Sequence, residues 1–168
     1  MANYAVINTE LVTGTDVRSQ LRSVRYGTVS GKDFTPKEIQ NGSVVTFTDE
    51  IEPDLYMAVD PKANTPLKDL VILATPEIMY DERKKNLHEF INEAGDNATG
   101  FIPNINDIFA MTAEGFDGTP KVGNIVEVQA GTMMKTAATA TASSTQIGKI
   151  IGTRVREGDT YYRVRVTG

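Results

Sequence analysis

One histidine and one run of alternating arginines are the side chains in this sequence whose types invite chemistry. His88 is the only imidazole, so a Ser-His-Asp arrangement has a single choice of base, and no GxSxG elbow presents a nucleophile to it. A metal site would have to recruit Asp81, Glu82 or Glu93 from no recognised ligand spacing, and the glycines form neither a phosphate loop nor a GxGxxG turn. The neighbouring carboxylates Asp49-Glu50 and Asp81-Glu82 sit side by side in turns and helix starts, whereas glycosidase chemistry needs two carboxyls across a cleft. The expectation is therefore a protein without an enzymatic centre, with no catalytic residues, no metal ligands and no cofactor-binding residues. A solvated helix face is the ordinary place for His88.

Arg154, Arg156, Arg163 and Arg165 carry a different message. Alternation in a strand sends every second side chain to the same side, so a hairpin would gather them into a basic sheet face, with Tyr161 and Tyr162 close by. Such a face can neutralise phosphates and stack on bases, or meet an acidic protein surface. The chain as a whole carries a net charge of −5, which argues against nucleic acid as its main partner.

The elements that must position these residues are mostly strands. Ile150 to Arg156 and Tyr161 to Val166 are separated by Glu157-Gly158-Asp159-Thr160, the clearest hairpin in the chain. Ser43 to Thr48 and Leu55 to Val59 form a second pair around Asp49, Glu50, Pro53 and Asp54. Ile108 to Ala113 and Lys121 to Val128 read as a third hairpin, and Leu70 to Ala74 as a buried strand. One helix is expected near 76–94: Thr75 and Pro76 open it, Leu87, Phe90, Ile91 and Ala94 form its apolar face, and Gly95 stops it. Thr15 can cap a shorter helix in which Val17, Leu21 and Val24 share one side and Arg18, Arg22 and Arg25 another.

The predicted fold is mainly β with some α: a β-sandwich or β-barrel-like body with one inserted helix and an extended N-terminal arm. The domain reading is an arm over 1–42 and a β-rich body over 43–168, with a division into sub-lobes 43–95 and 96–168 left open. Tyr4, Val6, Leu11, Val17, Arg18, Leu21, Arg22, Val24 and Arg25 are the arm's candidate contacts to a partner protein or a sister subunit. The absence of cysteine excludes a disulfide framework and thiolate metal sites. The N-terminus has no basic segment leading into an apolar core, and no apolar run approaches the ~20 residues of a membrane span, so the expectation is a soluble product made without export.

Three segments in this order, LVILATPEIMYDERKKNLHEFINEAG, NDIFAMTAEGFDGTPKVGNIVEVQAG and IGKIIGTRVREGDTYYRVRV, resemble the capsid decoration, or cement, proteins of tailed bacteriophages. The resemblance runs from about Ser43 onward. It implies a non-enzymatic virion structural protein, made in the host cytoplasm, that sits on the outer capsid surface and stabilises the major capsid protein lattice. Multiple equivalent sites on a shell reward an oligomer through avidity, so self-association, with a trimer at local threefold positions, is expected beside the major capsid protein as partner. Membrane and nucleic acid are not expected partners. The rival expectations are a head fibre or host-glycan-binding surface module, and a low-copy head-completion or tail subunit.

Overall fold

Leu70, Val71, Ile72 and Leu73 are each 0% exposed, so a strand buried on both faces lies at the middle of the molecule. A computed structural model describes residues 4–7, 21–76 and 87–168. In it, β1 (Leu21–Ser30), β2 (Asp33–Pro36), β3 (Val44–Glu52), β4 (Leu55–Val59), β5 (Leu70–Leu73) and β6 (Ala98–Phe101) form one sheet in the order β2-β1-β4-β3-β5-β6. Because β6 also pairs with β1, five of these strands close into a barrel. β1 and β4 run parallel and the other pairs antiparallel.

The second sheet is a curled half-barrel of β7 (Ile108–Met111), β8 (Phe116–Asp117), β9 (Ile125–Glu127), β10 (Met134–Ala137), β11 (Gln146–Arg156) and β12 (Asp159–Val166). Its order is β7-β12-β11-β9-β10-β8. Strand alternation explains how the two sheets share one protein. Val71 and Leu73 join Val24, Val45, Ala58 and Ala98 inside the barrel. Leu70 and Ile72 face the opposite way and, with Val44 and Phe101, meet the concave side of the half-barrel at Phe109, Met111, Ile147, Ile150 and Val164. The half-barrel thus wraps the outside of the barrel.

The mainly β class and the barrel agree with the sequence reading, as do β3, β4, β5 and the C-terminal hairpin. Three expectations need correction. Leu21 to Arg25 is strand, not helix: Leu21 packs against the shared core while Val24 lies inside the barrel, on opposite faces rather than one. Its partners, β4 and β6, are distant in sequence, so local periodicity could not reveal it. The inserted helix does not run to Ala94. Residues 77–86 fall outside the described residues, Leu87–Glu89 is a single 3-10 turn, and Asn92 is tied to Ile39 by reciprocal backbone hydrogen bonds of 2.9 and 3.0 Å. Those bonds replace the i→i−4 pairing a helix would need. Finally, β7 and β9 are not partners of each other; β7 lies against β12 and β9 against β10 and β11. The barrel also takes β1 from the segment read as arm and β6 from beyond residue 95.

Tyr26 marks one edge of the barrel, where its hydroxyl donates to Asp60 Oδ1 at 2.6 Å. Burial first, then that hydrogen bond and the Asp60 charge, push the phenol's pKa well above its ordinary value near 10. Since the folded protein disfavours tyrosinate, this group's contribution to stability is fully present below about pH 10 and is lost as pH rises through the raised pKa. An alkaline absorbance titration is expected to show an ionisation well above the ordinary tyrosine range that Tyr26→Phe removes.

Candidate protein-binding surface

Of the residues proposed for contact in the N-terminal segment, Leu11, Val17 and Arg18 lie outside the described residues. The others are used by this chain itself. Tyr4 to Ile7 runs beside β7: Ile7 bridges Met111, and the Thr112 amide donates to the Val6 carbonyl at 3.0 Å. Val6 is buried with Ala110 and Tyr161, and Ile7 enters the shared core. The Tyr4 amide donates to the His88 carbonyl at 3.0 Å. Arg25 donates to Asn97 at 2.8 and 3.2 Å, and the Arg22 guanidinium lies 5.8 Å from the Phe47 ring centre. These are intramolecular roles.

The basic hairpin assembles as alternation requires. Arg165 stands opposite Lys149, Arg163 opposite Gly152, Tyr161 opposite Arg154 and Asp159 opposite Arg156, which places Lys149, Arg154, Arg156, Arg163 and Arg165 on the outer face. The other face carries Tyr162, Val164 and Val166 to the core side. Lys149, Arg154 and Arg165 are exposed and Arg156 and Arg163 half-buried. Arg156 lies 3.6 Å from Glu157, but none of Lys149, Arg154, Arg163 and Arg165 has an ion-pair partner among the described residues. Beyond Tyr162, β12 no longer pairs with β7, and beyond Lys149, β11 no longer pairs with β9, so the tip of the hairpin projects from the sheet.

The tyrosines do not join that face as stacking groups. Tyr161 is 3% exposed in a buried cluster with Val6 and Ala110, and Tyr162 turns inward to meet Phe116 edge-on, ring centres 6.2 Å apart. A nucleic-acid surface with bases on aromatic platforms therefore lacks its platforms here.

His88 is not simply solvated. Its Nε2 lies 3.0 Å from Asp159 Oδ2, joining the 3-10 turn to the tip of the hairpin. Among the described residues no three histidine, aspartate or glutamate side chains gather as a metal site. Glu127 escaped the sequence reading altogether: fully buried on β9, it accepts a hydrogen bond from the Thr141 amide and shapes the loop after β10. A carboxylate in the middle of IVEV was its only sequence signal.

A second charged feature was read only as a turn. The β3–β4 hairpin carries Asp49, Glu50, Glu52 and Asp54, all exposed, and no lysine or arginine occurs from Val44 to Asp60. Glu50 Oε1 accepts from the Asp54 amide at 2.8 Å, while Asp49, Glu52 and Asp54 have no ion-pair partner among the described residues. Beside it, Leu21, Arg22, Ser23, Asp54, Tyr56 and Thr99 line an open cleft of about 390 Å³. The signal for this hairpin was the run of four acids without a compensating cation.

Compared with known proteins, the chain matches no family model, no curated protein and no solved structure.

Proposed function

We propose that this chain is a non-enzymatic virion structural protein that binds the outer surface of a phage head and stabilises the major capsid protein lattice. The observation that supports the reading best is the gathering of like charge on two β-hairpins, Lys149, Arg154, Arg163 and Arg165 on one and Asp49, Glu50, Glu52 and Asp54 on the other, in a body whose two sheets share one core. Charge of that kind steers and orients protein association more than it serves pocket chemistry. The segments that resemble decoration proteins fall on β5, on β7 to β9 and on β11–β12, which supply most of the shared core. Such a body can present several contacts in fixed geometry, and on a symmetric shell repeated weak contacts add up to tight attachment.

The test is the copy number of the protein on purified particles, measured by quantitative mass spectrometry against the major capsid protein. Lattice-wide amounts, comparable with the capsid subunit, are expected. A handful of copies would replace the reading with a head-completion or tail subunit, and absence from particles would end the virion assignment. A glycan-binding alternative could use the cleft beside Asp54 and Tyr56, whose lining among the described residues includes one aromatic ring, that of half-buried Tyr56.

A further inference from the structure

We infer that the acidic β3–β4 hairpin of one copy docks on the basic outer face of β11–β12 of a second copy, so that the protein self-associates through two different surfaces. The inference deepens the reading of the hairpins as protein-contact surfaces and does not depend on what the assembled protein covers.

Charge complementarity is the first argument. A chain of net charge −5 nevertheless holds Lys149, Arg154, Arg163 and Arg165 together on one face with no ion pairs among the described residues, and Asp49, Glu52 and Asp54 together on another hairpin, also with none there. Like charges held side by side repel, and no described residue pairs with either group. Contact between the two would relieve both. Size agrees: from Lys149 to Arg156 the basic stripe runs about 20 Å at ~3.3 Å per residue, enough to receive the tip of a two-stranded ribbon.

The edges supply the second argument. Past Thr46, β3 has β4 on one side only, and past Ile150, β11 has only β12. Ile151, 38% exposed, stands at the register shift on that free stretch of β11, while Val155, 70% exposed and opposite Thr160, lies on the side away from the arginines. Val122, 60% exposed, sits beside it in the turn whose Gly123 amide donates to the Ile150 carbonyl. On the acidic hairpin Ile51 lies half-buried between Glu50 and Glu52. Each surface therefore has an apolar side chain beside its charges, Ile151 next to the basic face and Ile51 on the acidic hairpin, as the core and rim of a protein interface do. The register shifts in both β3 and β11 break a regular edge, so the contact is one of side chains rather than a continued sheet. Because the two surfaces differ, each contact leaves a hairpin unsatisfied unless the assembly closes as a reciprocal pair or a ring.

The experiment uses the purified full chain in the absence of particles. Sedimentation velocity is expected to show an oligomer in about 50 mM salt, with its apparent dissociation constant raised about tenfold or more in about 500 mM salt, as screening shortens the range of the charges. The double variants D49K/E52K and R154E/R163E should each be monomeric while keeping the wild-type circular dichroism spectrum. Mixing the two should restore association, because the reversed acidic hairpin of one then meets the reversed basic face of the other. A monomeric wild-type chain at low salt, an oligomer indifferent to salt and to both variants, or a mixture that stays monomeric would each overturn the inference. None of these outcomes bears on copy number per particle, so the interface and the virion reading fail separately.

Discussion

Phe109→Ala is expected to destabilise the whole molecule by about 3–5 kcal/mol and to unfold both sheets in one transition. Phe109 is fully buried on the concave side of the half-barrel, and its ring meets that of Phe101 edge-on, with centres 6.2 Å apart and planes at 62°. Phe101 belongs to the barrel, where it pairs with Leu21 and Ile72 on the outward face. Truncation would open a cavity between the sheets and forfeit an aromatic contact worth about 0.5–1.5 kcal/mol beyond area burial. Against the total of roughly 5–15 kcal/mol that holds most domains, such a loss is large. The check is urea unfolding followed by amide resonances of Val45 and Ala58 in the barrel and of Ile147 and Val164 in the half-barrel. Equal shifts of both midpoints are expected. If the barrel signals kept their wild-type midpoint while the half-barrel signals moved, the two sheets would be separate folding units and the shared core would be only an interface.

The same shared core explains which parts of the fold could be read from residues alone. β5 was legible because four consecutive apolar residues between prolines have few other uses, and the β11–β12 hairpin because Glu-Gly-Asp-Thr separates two alternating runs. In both cases the decisive information lies within a dozen residues. β1 was not legible for the opposite reason. Read at helical spacing, Leu21 and Val24 fall on one side, and only the distant strands β4 and β6 impose the two-residue period that parts them. β7 and β9 were recognisable as strands, but their partners were assigned by proximity, whereas β12 outcompetes β9 for the edge of β7. At the candidate surface, the alternation of Arg163 and Arg165 announced a basic face. What alternation could not announce is that Tyr161 is buried with Val6 and Ala110, that Tyr162 turns into the core, and that Asp49, Glu52 and Asp54 have no ion-pair partner among the described residues.

Gly148→Ala should be the second severe substitution, with a cost of about 3 kcal/mol. β11 lies between β12 and β9 at this point, with Gly148 opposite Val166 on one side and Val126 on the other. A methyl group on Gly148 would press into the Arg165 carbonyl oxygen, with the carbonyl carbon at 2.8 Å and Val166 Cα at 3.0 Å. All three are backbone atoms, so no side chain can rotate away, and β12 itself must move. That displacement would strain the Thr167 amide's bond to the Ile147 carbonyl and shift Arg165 relative to Lys149. Stability and self-association should therefore fall together, measured by thermal unfolding and by sedimentation on the same sample. Gly152→Ala is the control on the same strand, since nothing lies within 4 Å of the position its methyl would take. It should be neutral or gain a few tenths of a kcal/mol by restricting the unfolded chain. A Gly148→Ala protein as stable as the Gly152→Ala protein would mean that Gly148 does not lie against the Arg165 and Val166 backbone, and the register that aligns the basic face would fall with that approach.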